Sequence, residues 1–149
     1  MTTARHLAAI DRLRDRAFPA QRERSRLGDS GPGYHLARLP TPADGVAATD
    51  RAAGSAREAH REAYEAECEA LVVALSRRWG EGQWFALWSV FIGSVCGEEI
   101  PQPWDELSHC VEDLRIWRAE GHWIAVGVSR SEGEDEFRLI AVVTEVDPP

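Results

Sequence analysis

Glu98 and Glu99 stand side by side just after the longest uncharged apolar run of the chain. Two carboxylates held close together can divide the roles of general acid and general base. They also lie in a half of the sequence already rich in acids, where a solvated pair accounts for them better. The one grouping of metal-ligating types is His109 and Cys110 with Cys96 and His122, and zinc sites bring their ligands in pairs at short spacing. No C-x-x-C occurs here, and no two of the five histidines are three or four residues apart. A nucleophile needs an adjacent base, and the sequence has no G-x-S-x-G elbow, no glycine-rich phosphate loop and no H-E-x-x-H. Ser89 and Ser94 read as small residues of the apolar run. No catalytic residue, metal ligand or cofactor is assigned.

The side chains that stand out are the six tryptophans, all between Trp79 and Trp123. Indoles fill cores, each burying a large area while the N–H finds an acceptor. They also dominate the anchors of protein-binding surfaces. Trp84, Trp88, Trp104, Trp117 and Trp123 are therefore candidate binding residues, with Glu98, Glu99 and His122 beside them. A small-molecule site would take the form of a pocket lined by Trp84, Trp88, Trp117 and Trp123, with Glu98, Glu99 or His122 at its mouth.

The elements that must position these residues follow from the patterning. Trp84 to Val95, WFALWSVFIGSV, carries no charge and is apolar on both faces when read with a period of two, which predicts an interior strand covered on both sides. A buried helix fits the same run by periodicity alone, and the aromatic and β-branched content with flanking glycines favours the strand. Ahead of it, a long helix begins at Thr49 or Asp50 and ends at Gly80 and Gly82, with Tyr64, Cys68, Leu71, Leu75 and Trp79 on one stripe. A parallel stripe of Ala59, Ala63, Ala66, Ala70 and Ala74 permits close approach. After it, Trp104 to Cys110 makes a short helical turn, and Asp113 onward reads as a three-strand meander whose first turn is Glu120-Gly121. That turn sets Trp117 opposite Ile124 and Arg118 opposite Trp123, where the guanidinium can cover the indole. In the last strand Phe137, Leu139, Ala141 and Val143 share one face and Arg138, Ile140, Val142 and Thr144 the other.

The N-terminal third is different. Leu7, Ile10, Leu13 and Ala17 give Thr3 to Phe18 an amphipathic helical pattern. From Pro19 to Asp50 the apolar residues are isolated among Pro, Gly, Ser and Asp, which predicts a long irregular linker or arm. The expected fold is α+β: one long helix packed on an antiparallel sheet of about four strands, preceded by an amphipathic helix and a linker. The expected division is residues 1–48 as helix plus flexible arm and 49–149 as a single domain. A long helix followed by a curved sheet is loosely similar to the cone-shaped fold of the nuclear transport factor 2-like superfamily, which implies a pocket between helices and sheet.

Composition bounds the function. The chain has 149 residues and a formal charge of −8, with 44% hydrophobic residues, as expected of an ordinary globular domain. Its 17 basic residues are all Arg, which reads as the codon bias of a GC-rich bacterial genome. The charge is uneven: residues 1–61 hold 11 Arg and 7 acids, net +4, and residues 62–149 hold 6 Arg and 18 acids, net −12. An acidic body repels phosphate, so nucleic acid and anionic membranes are not expected partners. The twelve-residue apolar run is too short to span a bilayer, which needs roughly 20 residues. The N-terminus lacks a signal-peptide pattern, and three cysteines without pairing spacing suit a reducing, cytoplasmic setting. The expectation is a non-enzymatic protein-binding module, immunity-like or chaperone-like, acting on a basic partner. The alternatives are a Trp-lined small-molecule site, a structural subunit docking through its N-terminal arm, and self-association as a homodimer.

Overall fold

The computed structural model describes residues 2–25, 28–41, 54–130 and 137–149. The elements are α1 (Thr2–Asp15), β1 (Glu23–Ser25), β2 (Gly28–Gly31), β3 (Tyr34–Leu39), α2 (Gly54–Trp79), β4 (Gln83–Ala86), α3 (Trp88–Val95), α4 (Trp104–Ser108), β5 (Asp113–Ala119), β6 (His122–Arg130) and β7 (Phe137–Thr144). The strands form one sheet in the order β1-β2-β3-β7-β6-β5-β4, every neighbouring pair antiparallel. The α+β class holds, with seven strands where about four were expected. The extra three, β1 to β3, come from the segment read as an irregular linker, and β3 pairs with β7 over six residues. The expected boundary near residue 48 lies outside the described residues.

The strand β7 explains the layering. Leu139, Ala141 and Val143 bury on one side of the sheet, and Ile140 and Val142 on the other. Alternation of a fully buried strand requires cover on both faces. On the first face lie α1 and α2, where Ile10, Tyr64, Leu71 and Leu75 join Trp117, Ile124 and Leu139 in one core. On the second lie α3 and α4, where Leu87, Val90, Trp104 and Leu107 pack on Leu114, Ile116 and Ile140. The Tyr64 to Trp79 stripe of α2 is the one that turns inward, while Ala59, Ala63, Ala66 and Ala70 face solvent. The helix α1 is held beside the end of β3 by His6, whose Nε2 bonds the Pro40 carbonyl at 2.7 Å, and against α2 by an Asp11–Arg78 ion pair at 2.8 Å.

The meander follows its expected register. Glu120 and Gly121 both have positive φ, 52° and 82°, as a tight hairpin turn demands. Trp117 stands opposite Ile124 and Arg118 opposite Trp123, with the Arg118 guanidinium 5.1 Å from the indole centre.

The run from Trp84 to Val95 overturns the expectation of an interior strand. Within this run Gln83–Ala86 is extended, and β4 ends the sheet on one side, paired among the described residues with β5 alone. The chain then turns into α3. Leu87 and Val90 are buried, and Phe91 and Ser94 half-buried, which is the i, i+3, i+4, i+7 face of a helix. Gly97, at φ 94°, ends α3 in a Schellman motif: its N–H donates to the Ser94 carbonyl at 3.1 Å, and the Glu98 N–H to the Gly93 carbonyl at 2.9 Å.

Candidate functional site: an exposed tryptophan surface on β4 and α3

Because the inward face of α3 is taken by Leu87, Val90 and Phe91, its other apolar residues turn outward. Trp88 is 69% exposed, Val95 65% and Ile92 40%, and Trp84 on the neighbouring strand is 64% exposed. Trp88, Ile92 and Val95 recur at spacings of four and three on one face of α3, and Trp84 on β4 lines the same cleft as Trp88. Large apolar side chains gathered in water mark interaction surfaces more often than isolated ones do. The stripe is held in place from beneath. The Arg115 guanidinium stacks on the Trp84 ring at 3.5 Å, and Trp88 meets Phe91 at 5.9 Å between ring centres. Phe91 in turn receives the edge of His109 at 5.1 Å.

A polar latch fixes α3 against α4. The Ser94 hydroxyl donates to Asp105 Oδ1 at 2.5 Å, and His109 Nε2 approaches both, 3.3 Å from Ser94 Oγ and 3.5 Å from the carboxylate. Serine, histidine and aspartate suggest nucleophilic catalysis, but a triad needs the imidazole between the other two, one nitrogen to each. Here a single nitrogen faces both partners and the serine proton already points to the carboxylate. The arrangement ties two helices together.

Beside the stripe, a cleft of about 760 Å³ opens between the middle of α2 and the sheet. Trp84, Trp88 and Phe91 border it together with the acids Glu65, Glu69 and Asp113 and the bases Arg61, Arg115 and Arg130. Burial, with the neighbouring Glu112, pushes the Asp113 carboxyl above its ordinary value. The cleft thiols are inert: burial raises Cys68 to about 12 and Cys110 to about 11. Among the described residues no group of three or more His, Cys, Asp or Glu is placed to hold a metal ion.

The expected site residues are dispersed. Trp84 and Trp88 come together on the stripe. Trp104 is fully buried, its indole N–H donating to the Val146 carbonyl at 3.0 Å, and Trp117 is buried with its N–H on the Gly80 carbonyl at 2.9 Å. Trp123 is half-buried and donates to Asp147 at 2.8 Å, and the half-buried His122 leans on Phe18 instead. Glu98 folds back over Gly93, where an added methyl would come within 2.7 Å of its carboxylate, and Glu99 is exposed. The four tryptophans of the expected pocket therefore do not line one cavity. Ile92 and Val95 belong to the surface and were absent from the expected set. Their spacing from Trp88 is visible in the sequence once the run after Leu87 is read with a helical rather than a strand period.

The segment that carries the surface is acidic in sequence, although Arg115 stacks on Trp84 and Arg61 and Arg130 line the adjoining cleft. Residues 80–113 contain seven acids, Glu81, Glu98, Glu99, Asp105, Glu106, Glu112 and Asp113, and no Arg or Lys. Two of them are paired from elsewhere, Glu106 with Arg22 at 2.6 Å and Glu112 with Arg61 at 3.5 Å. Comparison with protein families, curated proteins and solved structures yields no match for this chain. No helix among the described residues is long and apolar enough to cross a membrane.

Proposed function

We propose that the chain is a protein-binding module that engages a basic partner through the surface formed by β4 and α3. The observation that carries this reading is the pair Trp84 and Trp88, each about two-thirds exposed, on a segment with seven acids and no basic residue. Tryptophans supply the apolar anchors of such contacts, and surrounding carboxylates steer a cationic partner and reject anionic ones. The same acids disfavour a homodimer through this face, because a two-fold contact would set the acidic rims of two copies against each other. A neutralising role toward a basic protein, immunity-like or chaperone-like, is the form of activity this surface suits.

Affinity capture from the cells that make the protein tests it. Wild type should recover one basic protein at low salt and lose it at high salt, and Trp84→Ser/Trp88→Ser should recover none at either. Identical recoveries with wild type and the double variant would sink the reading.

The cleft beside Trp84 favours a second reading, a small-molecule site, since its volume falls within the usual range for ligands. Quenching or enhancement of Trp84 and Trp88 fluorescence by a small-molecule library, lost in Asp113→Asn and Trp84→Ser, would favour it. A silent library would leave the cleft as part of the protein-binding face.

A further inference from the structure

We infer that the basic partner presents an extended segment that adds as an eighth strand along the outer edge of β4, an inference that rests on the protein-binding reading above. The strand β4 ends the sheet, and among the described residues no strand pairs with it on the side away from β5. Its register with β5 runs Gln83 opposite Ile116 to Ala86 opposite Asp113, and one residue further on the Leu87 N–H donates to the Glu112 carbonyl at 3.0 Å. In an antiparallel ladder, residues that bond their opposite number alternate with residues whose backbone groups point away from it. Counting back from Leu87, Phe85 and Gln83 turn their N–H and C=O toward β5. Trp84 and Ala86 turn theirs outward, to the free edge, and both residues are exposed.

Proteins blunt free edges with charges, prolines or bulges, because an open edge invites another chain. The two ends of this sheet are treated differently. The opposite edge, β1, is Glu23-Arg24-Ser25, two charges in three residues, whereas β4 is Gln83-Trp84-Phe85-Ala86, with none. Strand addition uses the main chain for affinity and alternate side chains for specificity. Side chains on one face of the added strand would lie beside the Trp84 indole, which Arg115 already stacks on, at the mouth of a cleft bordered by Glu65, Glu69, Glu112 and Asp113 and by Arg61, Arg115 and Arg130. The charge that favours arginine or lysine in the added strand is that of residues 80–113, seven acids with no Arg or Lys. A second copy of this chain is a poor occupant, since it would bring its own acidic segment to an acidic edge.

The test titrates the isotope-labelled full-length chain with an eight-residue alternating peptide, (Arg-Val)4, capped at both ends, read by amide shifts and hydrogen exchange. Two control peptides share the design: (Glu-Val)4, and (Arg-Val)4 N-methylated along its backbone so that it keeps every side chain but has no amide donor. We expect (Arg-Val)4 to bind and to slow exchange at the Trp84 and Ala86 amides, and the methylated peptide to bind weaker on the order of tenfold or more, as the loss of one or two backbone hydrogen bonds implies. Ala86→Pro, which removes one outward donor while leaving the β5 ladder intact, should weaken the plain peptide. Equal binding of plain and methylated peptides, with shifts centred on Trp88 and Ile92, would refute strand addition while leaving the tryptophan surface as the binding site. Equal binding of (Glu-Val)4, or no binding by either arginine peptide, would overturn the basic-partner reading together with the strand.

Discussion

Four tryptophans of similar sequence context end in opposite environments, and the backbone position of each decides which. Trp104 and Trp117 point between sheet and helix with their N–H groups on main-chain carbonyls, so their polar atom is satisfied without water. Trp84 and Trp88 leave theirs in solvent. Trp88→Ala should therefore change the unfolding free energy by less than about 1 kcal/mol, as exposed substitutions do. Trp104→Ala should cost about 3–5 kcal/mol through loss of a buried aromatic. Urea unfolding of the two variants separates them, and a large loss in Trp88→Ala would mean that the ring supports the fold. His35 provides a second residue-level prediction. It is fully buried, its Nε2–H donating to the Arg16 carbonyl at 3.1 Å and its Nδ1 accepting from the Ser30 hydroxyl at 2.7 Å. Burial holds its pKa below the ordinary histidine value of 6.5. The unfolded chain then takes up a proton that the folded chain refuses, so this contribution is present above about pH 6.5 and declines as pH falls below it. Wild type should lose more stability than His35→Gln between pH 7 and 5.5 in parallel urea titrations; equal slopes would contradict the assignment.

At the scale of elements, the parts legible in the sequence are those whose pattern has one solution. The 26-residue α2 carries a single stripe of large apolar residues and a glycine at its end, and the β5–β6 hairpin carries a turn dipeptide that fixes its register. The run from Trp84 to Val95 is apolar at almost every position, so both periods fit it, and only tertiary context chooses helix after Leu87. The strands β1 to β3 were hidden for the opposite reason. ERS and GDSG are short and polar, and they become strands because β3 offers an edge to β2 and β2 one to β1, with Tyr34, Leu36 and Leu39 as the buried apolar residues of β3. A chain shortened by residues 1–48 should accordingly lose cooperative unfolding, because it exposes the β7 edge and the Ile10 side of the core. A truncated chain that keeps its full melting transition would show that the N-terminal third is an accessory. The candidate surface was half legible: Trp84 and Trp88 stood out by type, Ile92 and Val95 only by a spacing that belongs to the helix. Gly82 shows how closely β4 is placed, since a methyl there would come within 2.6 Å of the buried Trp117 ring. Gly82→Ala should destabilise by about 1–3 kcal/mol through overpacking.

For the molecule as a whole, the two faces of the sheet are both covered, and the apolar surface left over is concentrated at one edge. The segment at that edge, residues 80–113, carries seven acids and no Arg or Lys, while N-terminal arginines are engaged in pairs such as Arg14 with Glu120 and Arg22 with Glu106. Association with a basic partner should therefore be fast at low ionic strength and slow steeply as salt is added, with dissociation changing far less. Stopped-flow association across a salt series checks this, and a salt-independent association rate would speak against steering. The central claim is about location, and hydrogen exchange of the captured complex against the free chain addresses it directly. Slowed exchange is expected over Gln83 through Glu99 and nowhere else, centred on β4 and the start of α3. Protection centred on α1 or on β1 to β3, with β4 and α3 unchanged, would contradict it.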